Sequence, residues 1–354
     1  MFKILAAYGI PNKIVNAIKA IYTDSTAAVI TSVGLTDVFH VLSGIFQGDT
    51  LSPFLFIIVI DYVLRQAYKT LTQNHGIELT PRMGSRTPAT NLKDLSYADD
   101  IALLAKTLKL AEEMLHKLEE AAEQVGLKIN EDKTKVLTIN QPTNTQIKTT
   151  KGTKLKYVTN FKYLGSLVPN ADTDFKQRKG QAWSAMNKMK NIWKSSMHRD
   201  LKIRFFQASV ESILLYGSET WTMTTNLKTK IDRCYTKLLR KAVNARWQDH
   251  PTNASIYQDL PKLSDKIKQR RLKFAGHCAR AEKQPVSQLL FWLPHSGDRY
   301  QGRPFKTYSQ TLKEDTNLSD SKEILDLMKN KSAWKEFNKG TSNISITSSP
   351  TGVT

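Results

Sequence analysis

The stretch Leu95-Ser-Tyr97-Ala98-Asp99-Asp100-Ile101-Ala-Leu103 sets two adjacent carboxylates between runs in which apolar residues alternate. Such alternation reads as two β-strands, which puts the acids at the tip of a hairpin. Neighbouring carboxylates are costly together unless a cation neutralises them, and hard oxygen ligands of this kind suit Mg²⁺ or Mn²⁺. Asp-Asp is also an ordinary turn dipeptide, because Asp favours turns. Buried flanking strands would make it a rigid platform, which metal-assisted phosphoryl transfer needs. Gln47-Gly48 stands just ahead of an apolar run. There the backbone could approach a base pair while a side-chain amide reaches it, or Gly48 could simply permit the turn. Lys133 is a candidate cationic partner or acid for a leaving group, against the ordinary reading of a solvated surface lysine. His277-Cys278 has no second pair at ligand spacing, and Cys234 and His250 are scattered, so no zinc site is expected.

These residues need elements to hold them. Ser52 as N-cap and Pro53 at the first helical position open a helix over 53–69, apolar nearly all round and so expected to be buried. Residues 74–91, rich in Pro, Gly and Thr, are expected to form a loop. Leu108, Ala111, Leu115, Leu118, Ala122 and Val125 step by three or four, predicting an amphipathic helix that Gly126 ends. Its other face carries Glu112, Glu113, Glu119, Glu120 and Glu123. Short strands are expected at 127–130, 135–139 and 155–168. Beyond about 175 the pattern turns helical, with Ala182, Met186, Met189 and Trp193 on one face and Phe206, Val210, Ile213 and Gly217 on another. Domain boundaries are expected near 172 and, more weakly, near 247. The uncharged, Ser/Thr-rich tail from Gly340 is expected to be disordered.

The charge divides unevenly. Residues 1–150 hold 15 Lys+Arg against 15 Asp+Glu, whereas 151–354 hold 37 against 17, the whole of the +20 excess. A neutral front and a basic back point to a polyanionic partner, most commonly nucleic acid. Lys176, Arg178, Lys179, Lys188, Lys190 and Lys194 surround Trp183 and Trp193, a mixture suited to tracking a strand, although the tryptophans fall on the apolar stripe. Lys202 and Arg204 extend that group. Lys266, Lys268, Arg270, Arg271 and Lys273 form a second cluster that could contact nucleic acid. Two cysteines exclude a disulfide framework, and the longest apolar run, Pro53 to Ile60, is far short of a bilayer span. No leader pattern is visible, which sets the expectation at a reducing, intracellular location.

Tyr97-Ala98-Asp99-Asp100 resembles the corresponding box of reverse transcriptases, in particular those of non-LTR (LINE-type) retrotransposons. Further boxes follow in that family's order. Gly44-Ile-Phe-Gln47-Gly48-Asp-Thr-Leu51-Ser52-Pro53-Phe-Leu55-Phe56 is similar to its Gln-Gly box, and Gly126-Leu127-Lys-Ile129-Asn130-Glu-Asp-Lys133-Thr134 to the box after the acids. Phe161-Lys-Tyr163-Leu164-Gly165 resembles the primer-grip hairpin. Leu214-Leu-Tyr216-Gly217-Ser-Glu219-Thr-Trp221, Arg270-Arg271-Leu-Lys-Phe-Ala-Gly276-His277 and Gly302-Arg303-Pro304 resemble its C-terminal segments.

The resemblance implies an α+β fold: a partial polymerase palm over 1–172, a helical thumb over 173–247 and a basic C-terminal region over 248–339. It implies an RNA-directed DNA polymerase that uses an RNA template, a DNA primer, dNTPs and two Mg²⁺, with genomic target DNA a further candidate partner. Asp99 and Asp100 would hold metal, while Gln47, Gly48 and Ser52 would meet nucleotide and template. Lys133 would assist the leaving group. Phe161, Tyr163, Leu164 and Gly165 would grip the primer, and Arg303 would join the basic contacts. Residence would be nuclear and cytoplasmic. In the family a further Asp, in a Phe-x-x-Asp-type segment, lies upstream of the Gln-Gly box. Asp24, Asp37 and Asp61 lack its flanking pattern, so the expectation is an incomplete metal site, a weak or inactive chain and an unpaired sheet edge beside the hairpin. The alternative expectation is a non-catalytic nucleic-acid binder.

Overall fold

The computed structural model describes residues 1–72, 74–81, 89–139, 146–294 and 306–347, the last seven by their backbone alone. The chain divides into two units, residues 1–159 and 160–354.

The first unit begins with helices α1 (Phe2–Ala7) and α2 (Asn12–Tyr22). Strands β1 (Thr26–Ala27) and β4 (Phe39–His40) pair antiparallel, as do β2 (Ile30–Thr31) and β3 (Gly34–Leu35) between them in sequence. Helix α3 (Ser52–Tyr68) follows, then β5 (Ile77–Thr80), β6 (Thr90–Leu92), β7 (Asp94–Tyr97) and β8 (Asp100–Leu103). Helix α4 (Leu108–Glu123) leads to β9 (Lys135–Leu137) and β10 (Lys156–Val158), which pair in parallel. Among the described residues every sheet is two-stranded, so helices α3 and α4 form the frame.

Helix α3 buries Ser52, Leu55, Val63 and Ala67 only. Phe54 is 66% exposed and Ile57 53%, which corrects the expectation of all-round burial. One face meets α1 and α4, and the rest is open. The expected loop at 74–91 contains the β5–β6 pair, joined through residues 82–88, which lie outside the described residues. Helix α4 follows its periodicity. Thr107 Oγ1 accepts from Leu110 N–H at 3.3 Å, and Gly126, at φ +78°, lets Leu127 N–H return to the Ala122 carbonyl at 2.9 Å. Its acidic face is not simply solvated. Glu112 accepts from Lys148 N–H and Glu119 from Thr150 N–H, each at 2.8 Å, so these acids tether the following loop. No strand forms at 127–130, because Leu127 and Ile129 instead pack beside Leu118 and Ala122.

The second unit opens with the hairpin β11 (Phe161–Tyr163) and β12 (Ser166–Val168). The expected strand at 155–168 is thus three short ones. Helices α5 (Ala171–Lys188), α6 (Lys190–Lys194) and α7 (Arg199–Phe206) run into a π-helical turn, Gln207–Glu211, and α8 (Ser212–Leu215). Helices α9 (Thr225–Ala242), α10 (Asn253–Tyr257), α11 (Leu263–Ala279), α12 (Val286–Leu289), α13 (Tyr308–Thr316), α14 (Ser321–Lys329) and α15 (Lys331–Thr347) complete it. One buried cluster runs from Phe175 to Ile267, across the weaker boundary expected near 247. A second joins Leu272, Ala275 and Cys278 to Leu312, Ile324, Met328 and Trp334. Gly276 has a structural reason to be glycine, since any Cβ there would collide with the Trp334 indole, whose Nε1 donates to the Leu272 carbonyl at 3.0 Å. Helix α15 continues to Thr347, into the tail expected to be disordered from Gly340; residues 348–354 lie outside the described residues. Among the described residues no helix is long and apolar enough to cross a membrane.

Candidate active site and nucleic-acid interface

Strands β7 and β8 pair from Asp94↔Leu103 to Tyr97↔Asp100, leaving Ala98 and Asp99 as a two-residue turn. Tight hairpin turns need positive φ, and Ala98 supplies it at +53°, an uncommon conformation for a residue with a Cβ. Asp99 and Asp100 are exposed at this tip. The strand carrying Asp100 is anchored, because Ile101 and Leu103 pack against the cluster of Val63, Ala67, Leu118 and Ala122. The other strand is not, since Leu95 and Tyr97 are exposed, so in place of the two buried strands expected there is one half-buried strand, β8, and one exposed strand. The donor chemistry of the pair fits Mg²⁺ or Mn²⁺ in kind. In number it supplies part of a cage, for among the described residues no three His, Cys, Asp or Glu side chains gather as a metal site.

Three of the sequence boxes meet in one framework. Helix α3 leaves the Gln-Gly box, and its far end shares a core with the acidic hairpin and with Leu127 and Ile129. Its near end is fixed differently. Tyr22 stacks on Phe46 with ring centroids 4.5 Å apart, and the Tyr22 hydroxyl lies 3.2 Å from Ser52 Oγ. Ser52 Oγ in turn donates to Asp49 at 3.3 Å. These contacts hold the intervening loop, on which Gln47 and Gly48 are exposed. Gly48 sits at φ +96° with open space where a Cβ would go, so its requirement for glycine comes from the backbone turn rather than from crowding. Ser52, expected to meet nucleotide or template, is buried, and its hydroxyl is engaged by Tyr22 and Asp49. Lys133 is exposed, and its backbone N–H donates to Asn130 Oδ1 at 3.0 Å. Thr134 closes the same turn through the Asn130 carbonyl at 2.7 Å.

In the second unit Phe161 and Tyr163 are half-buried, while Leu164 is 39% exposed at the β11–β12 turn beside Gly165. Of the basic residues expected to contact nucleic acid, three are spent internally. Arg178 is buried against Asp174 and donates to the Gly165 carbonyl. Lys202 is buried and donates to the carbonyls of Trp193 and Ser195 at 2.9 and 2.7 Å, closing the end of α6. Arg271 is buried between Asp315, at 2.6 Å, and the Trp221 carbonyl, at 3.2 Å. A count of cations could not separate these from surface charges, because most of their acceptors are backbone carbonyls placed only by the fold. Arg270 pairs with Glu219 at 2.6 Å, partly exposed. Lys176, Lys188, Lys190, Lys194, Arg204 and Lys273 are exposed, and Arg303 lies outside the described residues.

Sequence reasoning missed a stripe on α9. Lys230, Arg233, Lys237 and Lys241 recur every three or four residues and are all exposed. Lys241 donates to Asn187 at 2.7 Å and lies 5.4 Å from the Trp183 ring centroid, and Lys230 reaches Asp172 at 2.9 Å. The stripe therefore runs beside α5, and its helical spacing was the available signal.

Residues 1–168 match the family described as reverse transcriptase (RNA-dependent DNA polymerase). A transposon-derived protein of Caenorhabditis elegans is 29% identical over 249 residues, 67% of this chain and 89% of that protein. The Pol polyprotein of a type-2 retrotransposable element of Drosophila melanogaster is 29% identical over 133 residues, 38% of this chain. That of a type-1 element of Popillia japonica is 29% identical over 110 residues, 29% of this chain. The matches span 11% and 16% of those two polyproteins. Residues 1–168 thus match the reverse transcriptase family, and the polyproteins similar to this chain come from retrotransposable elements.

Proposed function

We propose that the chain is part of an RNA-directed DNA polymerase that extends a DNA primer on an RNA template, and that it supplies two metal-holding carboxylates, Asp99 and Asp100. The observation carrying this is the acidic hairpin tip, seated through Ile101 and Leu103 on the core shared with α3 and the Gly126–Thr134 segment. A divalent cation held there would neutralise phosphoryl oxygens and favour an ionised primer hydroxyl. Completing that site takes a carboxylate from outside the described residues. Gln47 and Gly48 face the incoming nucleotide and template from an exposed loop, and Lys133 stands by the leaving pyrophosphate. The β11–β12 hairpin grips the primer.

The helices over 173–247 form the thumb, whose exposed cations on α5, α6 and α9 follow the phosphates of the template–primer duplex. This reading of the back half is supported by its charge, 37 basic against 17 acidic residues from 151 onward. The α11 cations serve element RNA or target DNA. A second reading, binding without polymerisation, is favoured by the exposed cations of α5, α6 and α9, whose contact with phosphates needs no metal site.

Fluorescence anisotropy with a labelled DNA primer on an RNA template tests the binding half. Affinity should fall steeply with salt, and Lys237→Ala should reduce the slope of log K against log salt by about one. The metal half is read by electron paramagnetic resonance of Mn²⁺, whose free-ion signal should drop on adding the protein and return with Asp99→Ala. Salt-insensitive binding would remove the nucleic-acid reading, and identical Mn²⁺ spectra for the two proteins would remove the metal reading.

A further inference from the structure

Leu164 and Gly165 form the turn of the β11–β12 hairpin, and both have left-handed backbone, at φ +46° and +86°. A leucine rarely adopts that conformation, so contacts from outside the turn must hold it. Tyr216 Oη donates to the Leu164 carbonyl at 2.9 Å. Arg178 donates to the next carbonyl, that of Gly165, and to Ser166 Oγ at 3.3 Å. The Arg178 guanidinium lies over the Tyr216 ring, 4.5 Å from its centroid, so the two donors brace each other.

Asp174 fixes this pair from behind. Its carboxylate accepts from Leu167 N–H and from Trp221 Nε1, each at 2.9 Å, and faces Arg178 Nε at 3.6 Å. Glycines make the fit possible. A Cβ on Gly165 would meet the Tyr216 ring at 3.2 Å, and one on Gly217 would run into Ser166 Oγ. Three segments far apart in sequence thus converge on one two-residue turn. Asp174 and Arg178 are buried, whereas Leu164 and Tyr216 reach the surface. Both carbonyl oxygens of the turn are engaged by donors, which lowers the negative charge that the turn offers to an approaching phosphate.

We propose that Arg178 and Tyr216, braced by Asp174, are positioning residues that hold the Leu164–Gly165 turn in the shape that receives the primer strand. The Leu214–Trp221 segment thereby gains a function: it locks a hairpin some fifty residues earlier, as the Tyr216–Leu164 bond spans 52 positions. This rests on the reading of the hairpin as the primer grip.

The test uses the full chain with an RNA template and a DNA primer ending in 4-thiothymidine, in two readouts. Photocrosslinking reports where the primer end sits, and amide hydrogen exchange over 164–167 reports whether the turn is held. Wild type should crosslink within residues 161–168. Tyr216→Phe keeps the ring and loses only the hydroxyl, so it should fold. It should speed exchange over 164–167 and lower the crosslink yield, each by about fivefold, the order expected for one hydrogen bond. Thermal midpoint and overall affinity for the primed template should be unchanged. Arg178→Lys should act in the same direction. Unchanged exchange and crosslinking in both variants would overturn the lock while leaving the primer-grip reading intact. Faster exchange with no wild-type crosslink in the hairpin would overturn the primer-grip reading and reduce the lock to a structural contact.

Discussion

The two units handle their apolar residues in opposite ways. In the second, two large buried clusters, Phe175 to Ile267 and Leu272 to Trp334, follow one another, and the first encloses ionic groups, including Glu211, which accepts from Lys266 at 2.8 Å and from the Tyr235 hydroxyl. In the first, the buried residues fall into three small clusters around Leu5, Val63 and Leu115. Large apolar side chains there stay on the surface, among them Phe54, Ile30, Val33 and Leu35. The candidate catalytic boxes sit in the unit with the thinner core, and the basic face sits on the one with the larger clusters. Substitutions should be felt most where the clusters are larger.

That contrast can be broken by mutation. Asp174→Ala removes the countercharge of buried Arg178 and the acceptor of Leu167 and Trp221, and should cost about 3 kcal/mol in denaturant unfolding. Gly276→Ala drives a methyl group into the Trp334 indole and should cost about 2 kcal/mol, read by the same measurement and by a shift in tryptophan fluorescence. In the first unit, Gly48→Ala meets no neighbour and pays only for its φ of +96°, about 1 kcal/mol. Phe54→Ala, on the open side of α3, should change stability by no more than about 0.5 kcal/mol. A loss at Phe54 as large as that at Asp174 would mean that the exposed face of α3 is covered in solution, and the contrast between the units would fall.

Much of the frame was readable before any coordinates. Helix α4 follows the three- and four-residue spacing that ends at Gly126, and the acidic hairpin the alternation on each side of Ala98-Asp99-Asp100, although Asp100 joins β8 and only two residues form the turn. What escaped was whatever depends on partners far along the chain. Nothing near Arg271 announces that Asp315 will occupy it, and the backbone carbonyls that take Arg178 and Lys202 carry no sequence signal at all. Ser52 looked like a cap or a ligand because Tyr22 lies thirty positions away. The β5–β6 pair escaped because two short strands joined by Pro, Gly and Thr look like a loop. The α9 stripe was legible in its spacing. Clusters dense in sequence drew attention away from a face that is dense only on the folded helix.

The most direct measurement is primer extension on an RNA template with dNTPs and Mg²⁺, comparing the 354-residue chain with Asp99→Ala. On the proposal that Asp99 and Asp100 supply only part of a metal cage, both proteins should bind the primed template in a salt-sensitive way and extend it equally little. Extension by the wild-type chain that disappears in Asp99→Ala would contradict this, because the metal site would then be complete within these residues.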